Sequence, residues 1–147
     1  MNIKKALVSG AISAALFGTM VASVFAGAGK APLYNAPGNL TCPTGAQPAA
    51  ADPTYGFAVI NTTGNGVLQV QVSVKGGTPN ATYDIWVNQD PGACPLAVPT
   101  APGALTTNGQ GNGNAHVQVP AVAGATMYWV SAVGGGQVLR SVAVASP

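Results

Sequence analysis

The residue that this chain lacks constrains it most: there is no Glu among its 147 positions. Solvated helix faces are built largely from Glu, Lys and Arg. Here Lys and Arg together number five and Asp three, so only 5% of the chain is charged. That composition argues against helix bundles and removes most of the carboxylate chemistry on which enzymes depend. The 20 Gly and 12 Pro supply frequent chain reversals instead. The length suits one domain with a modest core.

The N-terminus reads as an export signal. Lys4 and Lys5 precede an apolar stretch from Ala6 to Phe25. Small residues then stand at the spacing that a signal peptidase reads, giving cleavage after Ala26 or Ala28 and a signal over 1–28. The stretch is also long enough to span a bilayer, but it is rich in Ala and Gly and ends on that small-residue pattern. The expected mature protein is secreted, extracellular or periplasmic, and free of the membrane. It keeps Lys30, Lys75 and Arg140 against Asp52, Asp84 and Asp90, three minus three, a net charge of zero. A nucleic-acid partner would need clustered Lys or Arg, which this sequence does not have.

Cys42 and Cys94 form an even pair in a chain that reads as exported, so a disulfide is expected. Closing that loop would contribute about 4 kcal/mol, less any strain. The bridge would tie the segment before the first expected strand onto the domain body.

Residues 29–54 read as an irregular arm, because Pro32, Pro37, Pro43, Pro48 and Pro53 recur along it. From Tyr55 the pattern changes to period two. Leu68, Val70, Val72 and Val74 alternate with Gln69, Gln71 and Ser73, as in a half-buried antiparallel strand. Seven strands are predicted, over 55–61, 67–75, 82–88, 103–107, 115–119, 127–133 and 138–145. Gly- and Asn-rich turns separate them, including a hairpin turn at 108–113. The fold class is all-β: a two-sheet antiparallel sandwich over 55–147, with a small barrel as the alternative.

Two stretches carry a resemblance. The run Gly66-Val-Leu-Gln-Val-Gln-Val-Ser-Val-Lys-Gly76, followed by Pro79-Asn-Ala-Thr-Tyr-Asp-Ile-Trp-Val87, looks like strands B and C of immunoglobulin-like or fibronectin-III-like domains. The later Thr106-Thr-Asn-Gly-Gln-Gly-Asn-Gly-Asn-Ala-His-Val117 is similar to the turn entering strand E in small exported microbial sandwiches. The resemblance implies an immunoglobulin-like sandwich whose third, sixth and seventh strands neighbour one another. Cys42 and Cys94 depart from the pattern, because they are not on strands B and F. Domains of this kind serve adhesion, binding and structural roles, and the fold alone selects none of these.

Catalytic constellations are missing. His116 is the sole imidazole and has no carboxylate near it in sequence. No Ser lies in a Gly-x-Ser-x-Gly elbow. The loop from Asn108 to Asn114 has no carboxylate for calcium. No cofactor and no metal are expected. Asn39, Asn61 and Asn80 begin Asn-x-Thr triplets, the acceptor pattern for glycans in a eukaryote.

The remaining signal is aromatic. Alternation puts Asp84, Trp86 and Asn88 on one face of the third strand, with Trp129 and Arg140 on the matching face of the sixth and seventh. Flat rings beside hydrogen-bonding groups suit a sugar or a protein contact, so these five residues are the candidate binding face; the rival reading is that at least one Trp fills the core, with Asp84 near its edge. The favoured function is a non-catalytic secreted protein with a surface structural or adhesion role. The alternative is a glycan- or ligand-binding module. Its partners would be cell-surface glycan or protein, or further copies of the chain joined edge to edge.

Overall fold

The computed structural model describes residues 29–37, 53–92 and 101–145. The expected signal, Cys42, Cys94 and most of the Pro-rich arm lie outside the described residues, as does Asn39.

Among the described residues there are nine strands and no helix. They are β1 (Gly29–Asn35), β2 (Thr54–Thr63), β3 (Val67–Val74), β4 (Thr82–Asp90), β5 (Gly103–Thr106), β6 (Gly113–Pro120), β7 (Met127–Gly134), β8 (Gln137–Ser141) and β9 (Val144–Ala145). All pairings are antiparallel, in the order β5-β4-β7-β8-β1-β2-β3-β6, with β9 continuing along β7. The alternation in β3 does what its sequence requires. Leu68, Val70, Val72 and Val74 are buried against Ile60, Ile85, Val117 and Val130 in a single core.

Two expectations are corrected by β1. The recurring prolines predict an irregular arm over 29–54, yet its first seven residues form a strand between β8 and β2. Pro32 is tolerated because it stands at a bulge. Pro32 faces Phe57 and Tyr34 faces Thr54, so β2 advances three residues while β1 advances two. Because β1 pairs with both neighbours, it also joins what would have been two sheets into one. The third, sixth and seventh predicted strands are neighbours, as β4–β7–β8, and β3 pairs with β6 on the other side. The sheet, however, is continuous and nearly closed into a barrel.

Closure falls between β5 and β6. The loop from Asn108 to Asn112 is therefore not a hairpin turn: it connects two strands that share no ladder. The strands still touch, because a Cβ on Gly113 would stand 2.7 Å from the Thr106 carbonyl oxygen and one on Gly103 2.6 Å from Val117 Cγ2. At one end Thr107, the residue after β5, is tied to the β3–β4 connection, donating its hydroxyl to the Thr78 carbonyl at 2.6 Å and accepting from the Ala81 N–H at 3.0 Å. At the other end Gln89, buried on β4, spans the gap. Its Nε2 donates to the Pro120 carbonyl at 2.9 Å, and its Oε1 accepts from the Val122 N–H at 2.8 Å. Gln89→Leu would strand both backbone groups, at a cost of about 2–4 kcal/mol. Urea denaturation should show a lower midpoint with an unchanged slope.

Candidate functional site

Cross-strand register brings four of the five candidate residues into two neighbouring rows, while Asp84 faces Val133 one row further along β4. Trp86 faces Ser131 across β4 and β7, Ser131 faces Arg140 across β7 and β8, and Arg140 faces Tyr34 across β8 and β1. One row away Asn88 faces Trp129. These side chains lie on the outward side, opposite core residues such as Ile85, Val130 and Leu139.

The exposure that a binding face requires is not found, and Trp129 is buried on the outward side rather than in the core between the sheet's inner faces. Trp129 and Arg140 are 0% exposed and Asn88 is 3% exposed, while Trp86 is half-buried and Asp84 exposed. The local cause is the sequence of β7, Met-Tyr-Trp-Val-Ser-Ala-Val-Gly, in which bulky apolar residues occupy both faces. Asn88 Nδ2 donates to Ser131 Oγ at 3.2 Å. The Arg140 guanidinium carbon stands 5.4 Å from the centroid of the Trp129 ring, a cation–π contact. Among the described residues, no partner accepts from Arg140 Nε, Nη1 or Nη2, nor from Trp129 Nε1. Burial lowers the pKa of Arg140 from its ordinary value, so the cost falls on the charged form. This cluster is a packed layer with an uncompensated charge, and it is not an open aromatic platform.

The open surface is elsewhere. On the outer side of β2, β3 and β6 the rows read Asn61–Gln69–Gln118, Val59–Gln71–His116 and Phe57–Ser73–Asn114. Gln71, Asn114, His116 and Gln118 are exposed. Phe57 is half-buried beneath Lys30, whose Nζ stands 4.2 Å from the ring centroid. Two shallow depressions meet at Phe57. One is also lined by Gln71, Ser73, Asn114 and His116, and the other by Lys30, Thr54 and Lys75.

The bulge shapes this surface. Gly56 has a φ of 105°, which L side chains rarely adopt. A Cβ there would fall 1.9 Å from the Ser73 carbonyl oxygen. The Lys75 N–H donates to the Tyr55 carbonyl at 2.9 Å, which fixes the backbone from which the Lys75 side chain leaves.

Comparison with family models, with curated proteins and with solved structures found no match to this chain. The site must therefore be read from its own chemistry. His116 faces Gln71 across β3 and β6, and among the described residues no three His, Cys, Asp or Glu side chains come together. Sequence reasoning missed Phe57 and Lys30. The signal for Phe57 was present: Phe57, Val59 and Asn61 alternate with buried Ala58 and Ile60.

Proposed function

We propose that this chain is a non-catalytic, exported β-domain with a surface structural or adhesion role. The observation that carries this reading is the outer face of β2, β3 and β6. Its cross-strand rows present uncharged hydrogen-bonding side chains, with Asn61, Gln69 and Gln118 in one and Ser73 facing Asn114 in another. Such a face can make many weak contacts without the desolvation cost of charges. The N-terminal signal pattern supports export. Cleavage after Ala28 would leave Gly29, the first residue of β1, so the sheet would remain whole. The resemblance to immunoglobulin-like domains draws support from the pairs β4–β7–β8 and β3–β6, to which β1 is an addition.

The second reading, a glycan- or ligand-binding module, is favoured by the ring of Phe57 on that same face, in place of Trp86 and Trp129. Edge-to-edge self-assembly is a weaker form of the proposal, because β5 and β6 lie against each other.

The test is retention on intact cells of the producing organism. Labelled mature protein is expected to stay on the cell surface through washing. A Gln69→Ala/Gln118→Ala variant should be retained several-fold less while melting at the same temperature. Protein that washes off freely, together with hydrolysis of ester, glycoside or peptide substrates that is lost in His116→Ala, would replace this reading with an enzymatic one.

A further inference from the structure

Lys30 and Lys75 are 45 residues apart in sequence and are two of the three Lys or Arg that follow the signal. The fold brings both to one depression beside Phe57. The third, Arg140, is buried. Both lysines are exposed, and among the described residues no carboxylate pairs with either ammonium. The described carboxylates, Asp84 and Asp90, sit on β4, four places from β2 in the strand order. Among the described residues, the exposed positive charge therefore lies on one side of the sheet and these two negative charges on another.

We propose that the Phe57 face binds a carboxylate-bearing polysaccharide. This rests on the contact role above and gives it a partner. A sugar carboxylate would lie between Lys30 and Lys75, where the Lys30 ammonium is already held over the Phe57 ring. Pro32, beside Phe57, provides an apolar floor for the C–H side of a sugar ring, while the Phe57 ring holds the Lys30 ammonium in place. The neighbouring depression offers amide, hydroxyl and imidazole groups from Gln71, Ser73, Asn114 and His116 to sugar hydroxyls. The row Lys30–Val59–Gln71–His116 crosses four adjacent strands, about 14 Å at ordinary strand spacing. That span suits a stretch of polymer better than a single sugar. Two lysines are too few for a phosphate backbone, but they suffice for a repeating carboxylate that binds weakly at many points.

The experiment titrates the whole mature protein with polygalacturonate, with neutral dextran and with polyphosphate. Polygalacturonate should bind, and binding should weaken steadily from about 50 to about 300 mM salt. Lys30→Gln/Lys75→Gln should weaken it about five- to tenfold. Phe57→Ala should also weaken it, and both variants should keep the wild-type circular dichroism spectrum. Equal binding of dextran, tighter binding of polyphosphate, or full binding by the double lysine variant would overturn the proposal. So would an absence of polygalacturonate binding. If cell retention persists while polygalacturonate does not bind, this partner is wrong and the contact role stands. If both are absent, the contact role falls with it.

Discussion

Arg140→Met is expected to make this protein more stable. The guanidinium is wholly buried, rests on the Trp129 ring and meets no acceptor among the described residues. One cation–π contact returns about 2 kcal/mol when desolvated, whereas removing a full charge from water costs several. Methionine keeps the long unbranched stem and the ring contact and removes the charge. The expected gain is about 1–4 kcal/mol, read as a higher melting temperature. Arg140→Gln separates charge from hydrogen bonding: it loses the charge but keeps a polar head, so it should gain less than Met. A loss of stability in Arg140→Met would mean that the guanidinium is compensated after all.

Gly56→Ala is expected to do the greatest damage of any single methyl addition near the Phe57 face. Two penalties coincide there. The positive φ costs a non-glycine residue roughly 1–3 kcal/mol. The new Cβ would also meet the Ser73 carbonyl oxygen at 1.9 Å, and backbone cannot rotate aside as a side chain can. Added to typical overpacking costs, the loss is about 3–5 kcal/mol. Thermal or urea denaturation would measure it. Gly64→Ala is the control, since nothing lies within 4 Å of a Cβ at that turn and its φ is unremarkable; it should change stability little.

Much of the strand pattern is legible without coordinates. The alternation of Leu68, Val70, Val72 and Val74 with Gln69, Gln71 and Ser73 reproduces β3 to within a residue at its end. Gly56 inside an apolar run is the ordinary mark of a bulge, and one is present. β1 shows why the reading stopped short. Ala31 and Leu33 alternate with Lys30, Pro32 and Tyr34, a fair strand signal, but Pro32 outweighed it because the bulge that accommodates a proline depends on β2. The choice between sandwich and barrel turned on that one strand, and its two partners lie far apart in sequence. The binding face failed differently. Alternation correctly places Trp86, Trp129 and Arg140 on the outward side, but which outward faces meet water is a tertiary property. A hint was available in β7, where both alternating sets are largely apolar.

The position of β1 bears on when the molecule can fold. The first strand pairs with β8, more than a hundred residues later, through Leu33 with Ser141 and Tyr34 with Arg140. Until the last part of the chain is present, the two halves of the sheet cannot be joined by a continuous ladder. Contacts of such long sequence separation form slowly, because loop closure precedes any reward. That delay would suit the export proposed above, which requires a chain that is still unfolded during passage.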